Sequence, residues 1–292
     1  MAGSIAIACQ HPNGILFCGD SLVWLPTLPD ASADLIIADP PYNLKKADWD
    51  TFASQDSYID WSTQWIAEAA RVLKPTGTLY IMGFSEILAD LKRPACKYFK
   101  ACRWLIWHYK NKANLGNDWG RSHESILLLR KTSTAKMNID NIRIPYGNHT
   151  LKYPHHPQAA TSQYGNGKHH TCYQGWTPNP LGAKPKDVIE LPTTCNGMHE
   201  KTPHPTQKPE ELIRKFVLAS SERGDIIIDP FSGSGTTLVV AEQLGRMWLG
   251  CEMNPTYNQW AIERLQTAQC LTDQEWFWLD RRNEERRRRI RI

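Results

Sequence analysis

Short apolar runs alternate with amphipathic segments along most of the 292-residue chain. The runs have the length of β-strands and are bounded by Gly, Pro and Asp, whereas the segments between several of them carry apolar residues at helical spacing. This strand–helix–strand alternation predicts an α/β fold with a parallel sheet. The predicted strands span residues 15–18, 35–38, 78–82, 103–109, 122–129, 226–228 and 247–251. The predicted helices span residues 22–28, 58–73, 86–97, 210–220, 238–244 and 257–268.

Residues 132–207 break this pattern, because they are rich in Pro, Gly, His, Asn, Thr and Tyr and almost lack hydrophobic runs. A segment this long without regular structure inside a compact domain is usually functional or disordered. Its scattered aromatic side chains argue against simple disorder, so we interpret it as an inserted irregular lobe that binds a partner. The chain therefore divides into residues 1–131, the lobe 132–207, residues 208–270 and a basic C-terminal tail, 271–292.

The net charge of +4 is unevenly distributed. Residues 110–208 contain 13 Lys and Arg against 6 Asp and Glu, a balance of +7, so the rest of the chain carries −3. The C-terminal tail is also rich in arginine and is read either as a helix that contacts phosphates or as a solvated segment. Basic segments on an otherwise acidic body indicate a polyanionic partner, although surface cations can also be simply solvated.

The cellular compartment follows from three absences in the sequence. There is no apolar run of 18 residues that could form a transmembrane helix, and the first residues lack the basic region of a signal peptide. The eight cysteines form no Cys-x-x-Cys pair. We therefore expect a cytoplasmic protein with reduced thiols and no membrane partner.

A carboxylate and an aromatic ring follow the apolar run 35–38, in Asp39-Pro40-Pro41-Tyr42. The two prolines end the strand and stiffen the turn, so this motif lies at the carboxyl end of a strand, where open α/β sheets bind ligands. Asp39 offers two acceptor oxygens and Tyr42 offers a π-face. The pair suits a flat heterocycle with an exocyclic amine, although the same residues could form only a polar turn.

A second motif joins the strand 226–228 to the helix 238–244 through a glycine-containing loop. Gly233 and Gly235 allow the backbone to pass close to a ligand, and the free N–H groups at the start of the helix favour a negatively charged group. Glu252 lies about 20 residues further on, at the end of the next strand, where an acidic residue can bind the two hydroxyls of a ribose. The unit therefore predicts a nucleoside-binding half-site, and it is not a Walker loop.

Together, these motifs resemble those of the S-adenosylmethionine-dependent DNA amino-methyltransferases. Asp39-Pro40-Pro41-Tyr42 is similar to the family's catalytic motif, and residues 229–237 are similar to its cofactor loop. His204-Pro205-Thr206-Gln207-Lys208-Pro209 is similar to the segment that precedes that loop. The order of catalytic motif, variable lobe and cofactor loop resembles the beta group of these enzymes, and the resemblance covers residues 15–265.

The resemblance implies a Rossmann-like methyltransferase fold with a mixed, mostly parallel seven-stranded sheet and helices on both faces. Residues 1–131 would then hold the catalytic part, 132–207 the target-recognition region and 208–270 the cofactor-binding part. S-adenosylmethionine would be the methyl donor, without a metal. Double-stranded DNA would be the substrate, with the target base flipped out of the duplex. The resemblance leaves open whether the chain forms a homodimer, as its relatives often do.

The catalytic roles follow from the chemistry of an exocyclic amine, whose lone pair is delocalised into the ring. Asp39 can accept one amine hydrogen and the carbonyl of Pro40 the other, which stabilises the positive charge that builds on nitrogen. Pro41 belongs to the same stiff turn, and Tyr42 would stack on the base. No covalent intermediate with the enzyme is needed, because alignment of the reacting atoms supplies much of the rate.

The remaining site residues would bind the methyl donor. Glu252 would accept the ribose hydroxyls, and Asp20 matches the family's acidic position near the adenine ring, or caps a helix. Thr206 and Lys208 are candidates for the donor's carboxylate, although Lys208 could also face solvent or a phosphate. The loop residues expected under the methionine part are Asp229, Phe231, Ser232, Gly233, Ser234, Gly235 and Thr236.

Two further points limit the interpretation. His155-His156 and His169-His170-x-Cys172 have the spacing of no common zinc site, so we expect no metal there. The preferred function is N6 methylation of adenine in duplex DNA, with cytosine-N4 methylation as the alternative, because Asp at position 39 favours adenine in family terms. Other classes are an RNA or protein-glutamine methyltransferase, whose motifs typically run in the reverse order, and a non-catalytic DNA-binding module, which the intact Asp39 and Glu252 disfavour.

Overall fold

The computed structural model describes residues 4–43, 50–111, 117–152 and 178–290. Nine strands form one mixed sheet in the order β1-β2-β9-β8-β3-β4-β6-β5-β7. The strands are β1 Ala6–His11, β2 Gly14–Cys18, β3 Ala33–Ala38, β4 Leu73–Gly83, β5 Ala101–His108, β6 His123–Arg130, β7 Val188–Glu190, β8 Ile226–Asp229 and β9 Met247–Glu252. Five of the eight neighbouring pairs are parallel, which confirms the predicted α/β fold with a mostly parallel sheet.

The sheet has nine strands in the described residues rather than the seven expected. The two additional strands, β1 and β7, form its opposite edges. Neither is fully buried along its length, so neither has the apolar pattern of a central strand. The segment 74–77, predicted as a turn, is instead the first part of β4, which begins directly after the preceding helix.

Eight α-helices accompany the sheet in the described part of the chain. They are α1 Ser21–Trp24, α2 Gln55–Val72, α3 Ser85–Ala95, α4 Asn148–Lys152, α5 Glu210–Ser220, α6 Thr236–Gln243, α7 Pro255–Gln266 and α8 Asp273–Ile290. The start of α2 is fixed by a capping box, in which Ser54 and Ser57 exchange side-chain and backbone hydrogen bonds. None of these described helices is long and apolar enough to cross a membrane.

Helices cover both faces of the sheet, as predicted, because successive residues of the central strands point to opposite sides. In β3, Ile36 and Ala38 pack with α1, α2 and α3, whereas Leu35 and Ile37 pack with α5, α6, α7 and the start of α8. All six residues of β3 are buried. Two hydrophobic cores therefore hold the central strands rigidly, and the strand ends are a fixed platform for side chains.

The predicted C-terminal tail is a helix over residues 273–290, and it packs on the body of the protein. Trp276 and Phe277 of α8 are buried, and Asp280 forms a buried ion pair of 3.1 Å with Arg214 of α5. Arg246, which is fully buried, pairs with Asp273 at the start of the helix. This packing shows that α8 is part of the folded structure rather than a solvated segment.

The chain changes direction across the sheet between β3 and β8, which are parallel neighbours. From β3 the chain continues to β4 on one side, and from β8 it continues to β9 on the other side. The carboxyl ends of two such strands flank a crevice, which is where open α/β sheets bind their ligands. Asp39 follows β3 and Asp229 ends β8, so the two motifs of the sequence meet at this crevice.

Candidate active site

A cavity of about 330 Å³ lies at this crevice, at the carboxyl ends of β2, β3, β8 and β9. It brings together both predicted motifs and the segment before the cofactor loop. Fourteen of the fifteen predicted site residues line it: Asp20, Asp39, Pro40, Pro41, Tyr42, Thr206, Lys208, Asp229, Phe231, Ser232, Gly233, Ser234, Thr236 and Glu252. The fifteenth, Gly235, does not line the cavity. It has a positive φ of 77°, and a Cβ there would lie 2.6 Å from the Cβ of Ala261, so it permits close packing of α6 on α7.

The Asp39 side of the cavity is built from the turn after β3. The backbone N–H of Tyr42 donates to Asp50 at 2.6 Å, which fixes the turn, and the ring of Tyr42 packs edge-on against Phe84 at 5.1 Å. The phenol of Tyr42 donates to Oδ1 of Asp39 at 2.5 Å. Burial, and then the carboxylates of Asp39 and Glu124, raise the pKa of Tyr42 well above its usual value. Tyr42 therefore stays a neutral hydrogen-bond donor to Asp39.

Lys208 holds the other oxygen of Asp39. Its Nζ donates to Oδ2 of Asp39 at 2.6 Å and lies 3.5 Å from Oε2 of Glu124. Burial alone would lower the pKa of Lys208, but the two carboxylates outweigh it and the pKa is raised. Lys208 is therefore a cation at neutral pH, and it compensates two carboxylates in a site that water hardly reaches.

Glu124 was not identified from the sequence. It is the second residue of β6, and its Oε2 lies 3.4 Å from the phenol oxygen of Tyr42. It is buried at the start of an otherwise apolar strand. The signal that could have identified it is a carboxylate before the apolar run 126–129, since a buried charge needs a partner and usually marks a function.

His204 is a further buried group of the cavity, quoted in the sequence motif but given no role there. Burial lowers the pKa of His204 to about 4, so the ring is neutral at pH 7. Its Nδ1 accepts a hydrogen bond of 3.3 Å from the N–H of Thr206, which places the proton on Nε2. A Cβ on Gly233 would lie 3.1 Å from that Nε2, so the glycine allows the loop to approach the ring.

The other side of the cavity is formed by the β8–α6 loop and the end of β9. Glu252 accepts hydrogen bonds from the N–H of Gly233 at 2.8 Å and the N–H of Asn254 at 2.7 Å, one at each carboxylate oxygen. Each oxygen keeps a free lone pair for a second donor. Burial raises the pKa of Glu252, and it raises the pKa of Asp229 to about 7. The loop is therefore tied to Glu252 before any ligand binds.

The remaining lining residues complete the shape of the site. Asp20 caps α1 through a hydrogen bond of 2.9 Å from the N–H of Leu22, so it serves as the cap as well as lining the cavity. Trp61 packs against Phe231 with ring centroids 5.6 Å apart, and both rings face the cavity. The lining residues that sequence reasoning did not assign include Asp50, Phe52, Trp61, Met82, Met253 and Tyr257.

A second cavity, of about 380 Å³, lies between β5, β7, α5 and α8 and is lined by none of the predicted site residues. The histidines at 155, 156, 169 and 170 and Cys172 lie outside the described residues. No disulfide occurs among the described cysteines. The convergence of the predicted motifs therefore distinguishes the first cavity, rather than its size.

The sheet order and the position of the cavity define a protein with the Rossmann-like methyltransferase fold. The N6/N4 methyltransferase family model, described as DNA methylase, matches residues 33–263, which is most of the chain. The chain therefore belongs to this family of DNA methylases, which confirms the resemblance seen in the sequence.

Individual relatives agree with this assignment. The DNA adenine methyltransferase YhdJ of Escherichia coli (strain K12) is 34% identical over 264 residues, which cover 88% of this chain and 84% of YhdJ. The cytosine-N4-specific PvuII DNA methyltransferase has a similar structure, with a TM-score of 0.68 and 19% identity over 92% of each chain. M1.HpyAVI, solved in complex with S-adenosylmethionine, has a TM-score of 0.57 and 21% identity over 86% of this chain and 98% of its own.

Proposed function

We propose that this DNA methylase transfers a methyl group from S-adenosylmethionine to the N6 amine of adenine in duplex DNA, after the base has been flipped out of the helix. The observation that carries the proposal is the single cavity that holds both the Asp39 carboxylate, at the end of β3, and the Glu252 carboxylate, at the end of β9. A base amine bound at the first and a donor's ribose bound at the second would meet within one site.

The residues around Glu252 fit S-adenosylmethionine. Both oxygens of Glu252 keep a lone pair for the ribose hydroxyls, and they are already oriented by the N–H groups of Gly233 and Asn254. Trp61 and Phe231 offer apolar ring surface for the purine. When bound, S-adenosylmethionine supplies an electrophilic methyl group on a sulfonium. A sulfonium and an ammonium favour the negative potential of the carboxylates at this edge of the sheet.

The residues around Asp39 would bind and orient the amine. The carboxylate of Asp39 and the carbonyl of Pro40 accept its two hydrogens, so the nitrogen lone pair points at the methyl carbon. As the N–C bond forms and the S–C bond breaks, the electron pair moves to sulfur and positive charge builds on nitrogen. Lys208 and Tyr42 hold the two oxygens of Asp39, which fixes the direction of the acceptor. The methylated nitrogen then loses a proton.

Adenine is the preferred base because the chain has Asp at position 39 and because YhdJ, at 34% identity, is a DNA adenine methyltransferase. Cytosine-N4 methylation is the second candidate, since the PvuII enzyme of similar fold is cytosine-N4-specific and an amine on either base has similar geometry. The target-recognition region, 132–207, would choose the DNA sequence through side chains in a groove. Its described parts carry eight of the basic residues of the chain's central segment: Lys136, Arg143, Lys152, Lys184, Lys186, Lys201, and at its borders Lys131 and Lys208.

The base is identified by nuclease digestion of DNA from cells that express the protein, followed by mass spectrometry of the nucleosides. We expect new N6-methyladenine. New N4-methylcytosine without N6-methyladenine would overturn the choice of base, and new methylation of RNA or protein with none in DNA would overturn the choice of substrate.

The mechanism is tested with Asp39→Ala in the purified protein. We expect methyl transfer to fall below detection while the affinity for S-adenosylhomocysteine, measured by calorimetry, changes little, because Asp39 is proposed to act on the amine. Asp60→Ala, at an exposed position of α2, is the matched control and should keep full activity. Full activity of Asp39→Ala would overturn the mechanism.

A further inference from the structure

The outer face of α8 carries three arginines that form no ion pair within the described residues: Arg282, Arg286 and Arg289, called here the outer arginine stripe. All three are exposed. They are separated by four and three residues, so they lie on one side of the helix and span about 10 Å at 1.5 Å per residue. The stripe is a row of cations along a helix that is itself firmly packed.

The other arginines of α8 are all compensated by carboxylates. Arg287 binds Glu211 of α5 at 2.7 Å, Arg288 binds Glu284 at 2.9 Å, and Arg281 lies 3.4 Å from Glu285. These residues face the body of the protein and hold α8 in place. The helix therefore separates its arginines by function, with a paired set that fixes its position and an unpaired set that faces solvent.

Helix stability does not account for the stripe. Like charges three or four residues apart destabilise a helix by about 0.2–0.5 kcal/mol per pair, and the stripe contains two such pairs. The helix dipole favours cations in the last turn, which accounts for Arg289 but not for Arg282, two turns earlier. An unpaired row of arginines that costs stability is expected where a polyanion compensates it.

The position of α8 places the stripe beside the proposed DNA-binding side. Arg287 contacts Glu211 in the first turn of α5, three residues after Lys208 of the active site. Arg288 donates to the carbonyl of Pro145 and Arg281 to the carbonyl of Leu181, so α8 contacts both limbs of the target-recognition region. A duplex bound at the active site and at this region would therefore extend along the C-terminal half of α8.

We propose that the outer arginine stripe binds the phosphate backbone of duplex DNA outside the recognised sequence. The inference rests on the proposed function, because it takes the substrate duplex as the polyanion. Arginine suits this role, since its planar guanidinium can donate two hydrogen bonds to one phosphate. The stripe makes no base contact in this arrangement, so it adds affinity without sequence preference.

The test compares the wild-type protein with the triple variant Arg282→Gln, Arg286→Gln, Arg289→Gln, which keeps good helix formers. The dissociation constant for a fluorescent duplex of about 30 base pairs is measured by anisotropy over a range of KCl concentrations. Each phosphate contact contributes about 0.9 to the slope of log affinity against log salt, so loss of three contacts lowers the slope by about 2.7 and weakens binding at 0.1 M salt by about eightfold per contact. Affinity for S-adenosylhomocysteine and the transfer rate at saturating DNA should not change.

The matched control removes three exposed cations on the opposite face of the sheet, with Lys92→Gln, Arg93→Gln and Lys97→Gln on and after α3. It changes the net charge by the same amount, and its slope should equal that of the wild type. An equal loss of slope in both triple variants would show a general charge effect and overturn the proposal, as would a wild-type slope in the stripe variant. Failure of the proposed function is distinguishable, since a wild type that binds duplex DNA but methylates none would refute that function without altering the comparison of slopes.

Discussion

Lys208→Met tests whether Lys208 acts on Asp39, as its contacts indicate, or only on the donor's carboxylate, as the sequence suggested. The substitution keeps an unbranched side chain and removes the charge that lies 2.6 Å from Asp39 and 3.5 Å from Glu124. Two carboxylates then share a cavity without a cation. We expect Asp39 to lose both its fixed orientation and its compensating charge.

The structure sets the size of the effect. Two unit charges 4 Å apart attract by about 4 kcal/mol at an effective dielectric constant of about 20, and removal of one partner from a fully buried pair costs about 3–5 kcal/mol. The side chain of Lys208 is 6% exposed but that of Asp39 is 21% exposed, so water screens part of the loss. We therefore expect a loss of about 2 kcal/mol in the transfer step, which is about a 30-fold fall in rate.

The assay separates the two roles of Lys208. The single-turnover rate of methyl transfer is measured at saturating donor and DNA, and the dissociation constant of S-adenosylhomocysteine is measured by calorimetry. We expect the rate to fall about 30-fold and the dissociation constant to change by less than about threefold. Lys74→Met is the control, because it removes a lysine from the buried Asp34, 2.7 Å away, at a site that does not line the cavity. A large rise in the dissociation constant with an unchanged rate would refute the role of Lys208 on Asp39.

Three further predictions concern other residues of the site. Glu252→Gln should weaken binding of S-adenosylhomocysteine by about 10- to 100-fold in calorimetry, because a charged acceptor for the ribose is worth about 1.5–3 kcal/mol, while Asp39→Ala should leave it unchanged. Gly235→Val should lower the free energy of unfolding in urea by at least about 2 kcal/mol, because the residue has φ 77° and a Cβ would lie 2.6 Å from Ala261. For His204, burial lowers the pKa from 6.5 to about 4, so its contribution to stability is present above pH 6.5 and is lost as the pH falls toward 4. Wild type should thus lose about 2–3 kcal/mol more than His204→Gln between pH 7 and pH 4.

Each of these has a contradicting outcome. Wild-type affinity in Glu252→Gln would remove the ribose site from the account. Gly147→Ala, which has open space around its Cβ position, should be neutral, and equal stability of Gly235→Val would contradict the close contact of α6 with α7. Parallel pH profiles for wild type and His204→Gln would show that His204 isn't the group whose protonation opposes folding.

The sequence was informative wherever a pattern reports a local environment. The central strands have continuous apolar runs because they are buried on both faces, and helix α5 begins and ends where its apolar spacing predicts. The motif residues after β3 and β8 meet because carboxyl ends of neighbouring parallel strands share one edge of the sheet. Edge strands such as β1 are half-exposed and carry a weaker pattern, so the nine-stranded sheet was predicted with seven strands.

Contacts between distant segments could not be derived in the same way. The pair of Lys208 with Asp39 joins residues 169 positions apart, and nothing local to either residue indicates it. Gly235 has the same sequence context as a glycine that contacts a ligand, but its Cβ direction is occupied by α7. For α8, the charge run suggested solvation, whereas Trp276, Phe277 and Asp280 bury one face and leave only the outer arginines exposed.

The central claim is that the Asp39 and Glu252 motifs are two halves of one active site. A crystal structure of the protein with S-adenosylhomocysteine and a methylatable duplex tests it most directly. The account predicts the ribose hydroxyls on the Glu252 carboxylate and a flipped adenine whose N6 amine donates to Asp39 and to the carbonyl of Pro40. A nucleoside bound in the cavity between α5 and α8 instead, or a duplex whose target base remains stacked while the donor occupies the first cavity, would contradict it.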